Sequence, residues 1–355
     1  MRDLTRFLVP PSMRIREVME RIERAAGIAL VVDEERRLLG TINDGDIRRA
    51  ILAGIDLDRP ASLLIGDAKP PQYVNPLTAP VGTPKARLLQ MMADSGLRHI
   101  PLINDSGQVD DVAILGELTP DYELPVTAVV MAGGFGTRLR PLTDDVPKPM
   151  LPLGDRPVLE HIVDQLRTAG IRKVNITTHY KSDLIVDHFG DGTDFGVDIR
   201  YVSEKEPLGT AGALSLLASS EEPTLVINGD IVTKVDLRAM LDFHREHLAD
   251  MTVAVRQQEF TMPFGIVEMD GVELTRLSEK PTLQHLINAG IYMLGHEACR
   301  RVPNGRPYDM TDLIEELISS GAKVIGFPIQ EYWLDIGHAK DYERAQAEAG
   351  ESPSS

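Results

Sequence analysis

In the first third of the chain, hydrophobic positions follow one order of elements twice. Residues 12–57 begin with an amphipathic helix that is apolar at Ile15, Val18 and Ile22, and the segments IALVVD, LLGTIN and DGDIRRAIL follow it. Residues 80–118 keep the same order, from KARLLQMMADSG through LRHIPLIND to SGQVDDVAILGEL. Each copy predicts helix, strand, turn, strand and helix, an α+β unit. Because neither copy is long enough to bury a good core alone, we expect the two to pack as a pair.

From Val126 onward, apolar strands alternate with amphipathic helices. The predicted strands are TAVVMAGG, KVNITTHY, DIRYVSE, TLVINGD and MTVAVRQQ. The predicted helices between them are RPVLEHIVDQLRTAG, KSDLIVDHFG, TAGALSLLAS and LRAMLDFHREHL. This alternation is typical of an α/β domain in which a doubly wound, mostly parallel sheet carries helices on both faces. Ligands of such sheets bind beyond the carboxyl ends of the strands.

Local composition divides the chain into two domains. The segment TPDYELP, residues 119–125, has prolines near both ends and predicts a linker. It separates a first domain, 1–118, from a second domain, 126–347. The small and polar segment 348–355 predicts a flexible tail.

Charge and cysteine content limit the functions open to this chain. A net charge of −17 argues against a surface for nucleic acid or anionic membrane. Because Cys299 is the single cysteine, neither an intramolecular disulfide nor a cysteine metal cluster can form. The N-terminal segment lacks the apolar region of a signal peptide, and no apolar run has the length of a membrane helix. We therefore expect a cytoplasmic protein.

The segment MAGGFGTRLRPLT, residues 131–143, places three glycines in four positions after a predicted buried strand. Such a loop can bring backbone N–H groups close to a phosphate. Two common phosphate loops do not fit. Gly136-Thr137-Arg138 is not the Gly-Lys-Ser/Thr ending of a Walker loop, and Leu139 replaces the third glycine of the dinucleotide fingerprint. The glycine pattern alone leaves a plain strand-to-helix turn equally open.

The first repeat contains GTINDGDI, which offers Asn43 and Asp46, whereas the second repeat has Ile114 and Glu117 at the matching positions. The repeated units resemble a cystathionine-β-synthase (CBS) domain pair, a module that often binds adenine nucleotides. Its ribose signature has Thr or Ser three residues before Asp. The first repeat keeps the aspartate as Asp46 but has Asn43 in place of the hydroxyl residue, and the second repeat keeps neither. The resemblance therefore implies an adenine nucleotide at the first repeat only. Two alternatives stay open: the acidic residues cap the following helix, or the pair serves only to make a homo-oligomer.

A longer motif gives the glycine loop its context. MAGGFGTRLRPLTDDVPKPM is followed in order by EPLGTAGAL, NGD, FGIVEMD, SEKP, NAGIYML and WLDIG. Across residues 126–347 these motifs closely resemble the sugar-1-phosphate nucleotidyltransferases, which have a GT-A-like fold. The resemblance implies transfer of a nucleotidyl group from an NTP to a hexose 1-phosphate, with release of pyrophosphate and with Mg²⁺ as cofactor.

The resemblance also implies roles for individual residues. Because the nucleophile is already an anion, the site needs cations and positioning more than a catalytic base. Arg138 would hold the β- and γ-phosphates, Lys148 would contact the α-phosphate, and Asp230 and Asp335 would bind Mg²⁺. The residues implied to line the nucleotide phosphates through the loop are Gly133, Gly134, Gly136 and Thr137.

The sugar 1-phosphate is assigned to later motifs on the same grounds. Lys280 would pair with its phosphate, and Glu279 would accept hydrogen bonds from sugar hydroxyls. Gly265, Asn288 and Gly290 would shape the sugar pocket. These motifs do not indicate which hexose is bound.

The nucleotide base is expected to meet the segment VSEKEPLGTAG, where Glu204 and Gly209 face it by position. One carboxylate suits the two donors of guanine, N1–H and N2–H₂, whereas an amide would suit uracil or thymine. We therefore expect GTP, as in mannose-1-phosphate and glucosamine-1-phosphate guanylyltransferase-like members. A uridylyl- or thymidylyltransferase is the alternative. A nucleotide sensor without catalysis is the rival from another class. Loss of a charged residue implied to bind phosphate or metal would favour this rival, but Arg138, Lys148, Asp230 and Asp335 are all present.

Overall fold

The computed structural model describes residues 3–66, 75–119, 123–204, 206–218 and 220–350. They belong to two compact units, one up to residue 122 and one from residue 123. Part of the predicted linker (119–125), at 120–122, and part of the predicted tail (348–355), at 351–355, lie outside the described residues. The last helix of the chain, Ala339–Gly350, includes residues 348–350, so these three residues are helical and do not begin a flexible tail.

The first unit repeats one topology, in the order that the hydrophobic pattern predicts. Its first half contains β1 (Leu8–Val9), α1 (Ile15–Arg24), β2 (Ile28–Val32), β3 (Leu38–Asn43) and α2 (Asp44–Leu52). Its second half contains β4 (Ala79–Pro80), α3 (Lys85–Ser95), β5 (His99–Ile103), β6 (Val109–Ile114) and α4 (Leu115–Leu118). Each half forms a three-stranded sheet, β1-β2-β3 or β4-β5-β6, in which the short first strand runs parallel to the second.

The two halves of the first unit share a buried apolar cluster. Phe7 and Leu30 of the first half are fully buried and lie in one cluster with Val109 and Val112 of the second half. Each half also has a small core of its own. The shared cluster removes from water the apolar faces that neither half covers alone, which is why the repeats pack as a pair.

The second unit alternates strands and helices. Its earlier elements are β7 (Thr127–Met131), β8 (Pro152–Leu153), β9 (Arg156–Pro157), α5 (Val158–Ala169), β10 (Lys173–Thr178), α6 (Ser182–Phe189), β11 (Asp198–Ser203), α7 (Gly209–Gly212), β12 (Thr224–Asn228), β13 (Ile231–Thr233) and α8 (Leu237–Glu246). Its later elements are β14 (Met251–Thr261), β15 (Ile266–Asp270), β16 (Glu273–Ser278), β17 (Thr282–Leu294), α9 (His296–Arg300), α10 (Met310–Ser319), β18 (Val324–Ile329), β19 (Trp333–Asp335) and α11 (Ala339–Gly350). None of the helices in the described ranges is long and apolar enough to cross a membrane.

A seven-stranded sheet in the order β11-β10-β7-β12-β17-β14-β18 forms the centre of the second unit. Only β17 runs antiparallel to its neighbours within this sheet. The two faces carry separate cores, because Val130 packs in one cluster with Ile162 of α5, and Val129 packs in the other with Leu313 of α10. The predicted doubly wound, mostly parallel sheet is confirmed, and its carboxyl edge receives the glycine-rich loop after β7.

Strands β14 and β17 continue beyond this sheet as a two-stranded arm, residues 257–287. β18 pairs with β14 only as far as Arg256, and β12 pairs with β17 only from Ile291. β14 and β17 nevertheless pair with each other out to Thr261 and Thr282. The arm is therefore held by its own ladder and not by neighbouring strands of the sheet.

The hairpin β15–β16 at the end of the arm is apolar on one face. Its cross-strand pairs include Val267 with Leu277 and Met269 with Leu274. These four side chains are between 47% and 61% exposed. Because a two-stranded hairpin has little stability of its own, the arm adds little to the core of the unit.

Candidate functional site

The glycine-rich loop after β7 packs against two neighbouring segments. A Cβ on Gly133 would stand 2.9 Å from Glu204 Oε1. A Cβ on Gly136, which has φ +62°, would stand 2.9 Å from Thr143 Cγ2. A Cβ on Gly134 would meet no described atom within 4 Å. Positive φ and crowding by Thr143 therefore require glycine at the third position, whereas Glu204 only disfavours a side chain at the first. Gly134 presents open backbone on which a ligand could rest.

Arg138 lies in a short 3₁₀ turn, residues 137–139, beside the end of β19. A Cβ built on Gly337 would be 3.8 Å from Arg138 Nη1 and 3.4 Å from Asp335 Oδ1. The guanidinium and the carboxylate thus border the same small volume beside Gly337. Thr137 begins the turn and is exposed.

Lys148 and Asp230 form a close ion pair in which Lys148 Nζ donates to Asp230 Oδ2. Their side chains are only 11% and 22% exposed. Lys148 starts a 3₁₀ turn after Pro147, and Asp230 follows the buried strand β12. Because the pair is largely withdrawn from water, its attraction is stronger than that of a surface salt bridge.

Asp335 reaches Asp230 through a small antiparallel ladder between β13 and β19. The ladder pairs Ile231 with Asp335, and Ile336 N donates to Asp230 O at 3.0 Å. Burial raises the pKa of the Asp335 carboxyl, and the charge of Asp230 raises it further, while Lys148 and Arg138 oppose the shift. Two carboxylates and two cations that are distant in sequence therefore meet at one edge of the sheet.

Two buried oxygens at this edge lack a hydrogen-bond partner. Within the described part of the chain, Asn228 Oδ1 and Asp335 Oδ1 are the only buried side-chain polar atoms in this condition. Such atoms are costly unless a ligand, an ion or an ordered water molecule satisfies them. Among the described residues, no three His, Cys, Asp or Glu side chains are grouped to hold a metal alone. Asp230 and Asp335 fit Mg²⁺, which takes one or two carboxylates and completes its shell with water and substrate oxygens.

Strand β17 links this acidic edge to residues predicted to bind the sugar. Asn288 Oδ1 accepts from Gly290 N at 3.0 Å. Burial raises the pKa of Tyr292, with a smaller contribution from Asp230. Gly290 has φ +71°, and a Cβ there would lie 2.7 Å from Asn228 Nδ2. Sequence reasoning missed Asn228 and Tyr292, although Asn228 is the first residue of the NGD motif.

Glu204 is 8% exposed and lies beside the glycine loop. Its Oε2 accepts from Leu208 N at 2.9 Å, and its backbone oxygen is 2.8 Å from His179 Nδ1. Gly209 has φ +79°, and a Cβ there would lie 2.6 Å from Asp309 Oδ1. Close packing against Asp309 is therefore a sufficient reason for glycine at this position. The predicted contacts of Glu204 and Gly209 with a base stay predictions.

The other residues predicted to bind the sugar 1-phosphate lie on the exposed arm. Glu279 Oε2 would be 2.9 Å from a Cβ on Gly265, so the two positions predicted for sugar binding do come together. Lys280 is exposed and has φ +43°. A non-glycine residue at positive φ is uncommon, and such backbone conformations are found more often at functional sites than elsewhere.

In the first unit, Asn43 and Asp46 form a capping box at the start of α2. Asp46 N donates to Asn43 Oδ1, and Asn43 N donates to Asp46 Oδ2, both at 2.9 Å. Asp46 Oδ1 accepts from Arg49 at 2.5 Å, and Asp46 is 5% exposed. The helix-cap alternative is therefore the arrangement observed. In the second half, α4 follows Ile114 without a side-chain cap.

Comparison with known families gives two matches. The model described as "Nucleotidyl transferase" matches residues 127–352, and a CBS domain model matches residues 2–53. Among curated proteins, a mannose-1-phosphate guanylyltransferase of Mycobacterium tuberculosis is 38% identical over 232 residues, which are 63% of this chain and 64% of that one. The mannose-1-phosphate guanylyltransferase catalytic subunit beta of Danio rerio is 35% identical over 224 residues, 61% and 62% of the two chains. The chain thus spans somewhat under two thirds of the length of these relatives.

Solved structures give the same picture of the fold. A Bacillus anthracis protein, provisionally identified as a glucose-1-phosphate thymidylyltransferase and crystallised with sucrose, superposes with a TM-score of 0.54 at 24% identity. The match covers 65% of this chain and 97% of that one. HddC from Yersinia pseudotuberculosis superposes with a TM-score of 0.50 at 25% identity, covering 62% and 98%. Both matches span almost the whole of the other protein, which is consistent with a separate module preceding this fold.

Proposed function

Because the chain belongs to the nucleotidyl transferase family, we propose that it transfers a nucleotidyl group from an NTP to a hexose 1-phosphate. The observation that carries the proposal is the cluster of Arg138, Lys148, Asp230 and Asp335 beside the glycine-rich loop. Cations, carboxylates and open backbone at the carboxyl edge of a parallel sheet suit a polyphosphate ligand.

In the proposed reaction, a phosphate oxygen of the sugar 1-phosphate attacks the α-phosphorus of the NTP. The bond from that phosphorus to the α–β bridging oxygen breaks, and pyrophosphate leaves with the electron pair. The products are an NDP-sugar and pyrophosphate, and no proton has to be removed from the nucleophile. Lys148 would neutralise the α-phosphate and Arg138 the leaving group, while the loop keeps the phosphates in line.

Mg²⁺ is proposed as the cofactor, held by Asp230 and Asp335. The unpartnered Asp335 Oδ1 and the partly buried setting of both carboxylates support a cation at this point. Bound there, Mg²⁺ would offset the negative charge of the phosphates as they crowd together. Lys148 would then exchange some of its contact with Asp230 for the substrate phosphate.

GTP is the proposed nucleotide. Glu204 supports it, because its carboxylate lies against Gly133 of the phosphate loop and retains acceptor capacity after binding Leu208 N. The relatives named as guanylyltransferases support the same choice. A uridylyl- or thymidylyltransferase is the second candidate, and the hexose stays open between mannose, glucosamine and others.

The test is a screen of GTP, UTP, dTTP, CTP and ATP against a panel of hexose 1-phosphates, with Mg²⁺ and with pyrophosphate release as the signal. We expect turnover with at least one hexose 1-phosphate and the highest kcat/KM with GTP. Absence of turnover with every pair, for protein shown to be folded, would overturn the catalytic proposal and favour the nucleotide sensor. A preference for another NTP would overturn only the assignment of the base.

For the first unit we propose regulation by an adenine nucleotide. The CBS match to residues 2–53 supports the module, while Asp46 is already committed to its capping box. Binding of AMP to the full chain, measured by calorimetry, should be detectable and should change the KM of a substrate. AMP that neither binds nor changes a KM would leave the assembly of a homo-oligomer as the role of this unit.

A further inference from the structure

Residues 208–212 are bonded to residues 308–310 by a compact set of hydrogen bonds, called here the latch. The bonds are Thr210 N to Asp309 Oδ1 (2.9 Å), Met310 N to Thr210 Oγ1 (2.8 Å), Ala211 N (3.0 Å) and Gly212 N (2.9 Å) to Tyr308 O, and Tyr308 N to Leu208 O (2.8 Å). The latch thus joins the start of α7 to the start of α10. Thr210 and Asp309 each satisfy a backbone N–H on the opposite segment.

Two glycines allow the latch to close. A Cβ on Gly209 would lie 2.6 Å from Asp309 Oδ1 and 2.8 Å from Tyr308 O. A Cβ on Gly212 would lie 2.8 Å from Leu208 Cβ and 3.2 Å from Arg306 O. The glycines of the EPLGTAGAL motif therefore serve a close approach of two backbones, which any larger residue would prevent.

The other end of the latch reaches Glu204. Leu208 donates its N–H to Glu204 Oε2 and accepts at its carbonyl from Tyr308 N. Leu208 is itself buried, so it cannot move without disturbing both partners. A continuous series of contacts therefore runs from the phosphate loop at Gly133, through Glu204 and Leu208, to the first turn of α10.

From this geometry we infer that Asp309 and Thr210 are positioning residues for the nucleotide end of the site. They hold Leu208, whose N–H donates to Glu204 Oε2, at a fixed distance from the phosphate loop, and so set which base the Glu204 carboxylate accepts. Neither residue needs to touch the substrates. The inference rests on the proposed function, because it assigns the base to Glu204.

The test compares Asp309→Ala and Thr210→Val with the conservative variants Asp309→Asn and Thr210→Ser. Loss of the latch bonds should raise the KM for GTP about five- to tenfold and reduce the preference for GTP over UTP. The KM for the sugar 1-phosphate should stay within about twofold. The conservative variants keep an acceptor at residue 309 and a hydroxyl at residue 210, and should behave as the parent. The double variant Asp309→Ala/Thr210→Val should raise the KM for GTP no more than the more strongly affected single variant does, since the two side chains act as one unit.

Asp312→Ala is the matched control. Asp312 Oδ2 accepts from Asp309 N, so its loss weakens the same helix start without removing any bond to Thr210. Asp312→Ala should lower stability comparably and leave the KM for GTP unchanged. Equal rises in KM for Asp309→Ala and Asp312→Ala would overturn the inference, because capping of α10 alone would then explain the effect.

A second readout separates failure of this inference from failure of the proposed function. Amide hydrogen exchange of the full chain reports on Leu208 and Ala211 without any substrate. Exchange at Leu208 that accelerates at least about fivefold in Asp309→Ala and not in Asp312→Ala supports the positioning role, even for a chain that turns over no substrate. Unchanged exchange at Leu208 overturns it, whatever reaction the chain performs.

Discussion

The phosphate end and the sugar end of the candidate site rest on different supports. Lys148, Asp230 and Asp335 are partly or largely buried and are joined by an ion pair, a strand ladder and a backbone hydrogen bond. Glu279 and Lys280 lie on an arm that continues past the sheet and ends in an exposed hairpin. One end is built into a core, and the other end extends from it.

This difference indicates how the two substrates would be handled. A buried charge cluster is costly to form without a ligand and stays in place because the surrounding core holds it. An exposed two-stranded arm has few buried contacts and can open at little cost in free energy. We therefore expect substitutions at the phosphate end to lower kcat, and substitutions on the arm to raise the KM for the sugar 1-phosphate.

The largest effect is expected at the carboxylate pair. Asp230→Asn and Asp335→Asn should each lower kcat on the order of 10²-fold or more, because each removes charge from a site that works by electrostatic stabilisation. Initial rates of pyrophosphate release at saturating Mg²⁺ give the measurement. Asp155→Asn, whose side chain is 93% exposed, is the control and should match the parent. Near-normal rates for both site variants would place the metal elsewhere.

The next effect concerns Glu204, which lies beside the phosphate loop at the nucleotide end of the site. Glu204→Gln should weaken GTP relative to UTP or dTTP by about 1–3 kcal/mol, because a charge-assisted hydrogen bond is lost while an acceptor for Leu208 N is retained. Ratios of kcat/KM for the three nucleotides measure the change. An unaltered ratio would mean that another group selects the base.

Stability of the sheet itself should depend on His244. This residue of α8 is 5% exposed, and its Nδ1 is 2.9 Å from Thr252 Oγ1. Burial lowers its pKa to about 4, so the folded state requires the neutral ring and protonation favours unfolding. The stabilising effect is complete above the unfolded pKa near 6.5 and declines as the pH falls toward 4.

Between pH 7 and pH 5 the loss attributable to this residue should be about 2 kcal/mol. Urea titrations of the parent and of His244→Gln at both pH values measure it. The variant should be less sensitive to pH in this window. Equal pH dependence in both proteins would assign acid sensitivity to other groups.

A smaller effect is expected on the arm. Lys280→Met should raise the KM for the sugar 1-phosphate about tenfold through loss of a charged contact with its phosphate. The KM for GTP should change little, which is the opposite of the result for the latch variants. A fall in kcat without a change in either KM would contradict the division between the two ends.

The smallest effect belongs to the tip of the arm. Val272 is 94% exposed, so Val272→Ser should change the free energy of unfolding by less than about 0.5 kcal/mol. Val226→Ser, at a fully buried side chain of β12, is the contrasting variant and should be strongly destabilising. Comparable losses for both would mean that the arm is part of the cooperative core.

The hydrophobic pattern predicted the elements of the sheet and the repeat because those segments bury one clear face. It did not predict the β13–β19 ladder, since strands of three residues have too little pattern to reveal a partner far along the chain. Asp230 and Asp335 were identified only through the resemblance of NGD and WLDIG to a family. The contact between them became visible in the structure.

Residue roles were harder to predict than elements, because one residue type serves several purposes. The sequence predicts a contact of Gly209 with the base, and the structure supplies a packing reason through Asp309. The sequence leaves Asp46 open between a ribose and a helix cap, and its oxygens are committed to the cap and to Arg49. Sequence identifies that such a position is constrained, whereas the neighbour that constrains it depends on tertiary contacts.

The β13–β19 ladder also determines when the site can come into existence. Synthesis proceeds from the N-terminus, so the glycine loop, Lys148 and Asp230 emerge from the ribosome well before Trp333. Until β19 pairs with β13, Asp230 has Lys148 as its partner and the second carboxylate is missing. A growing chain can therefore fold much of its sheet and still hold an incomplete centre. The acidic pair is therefore complete only after β19 has been translated and has paired with β13.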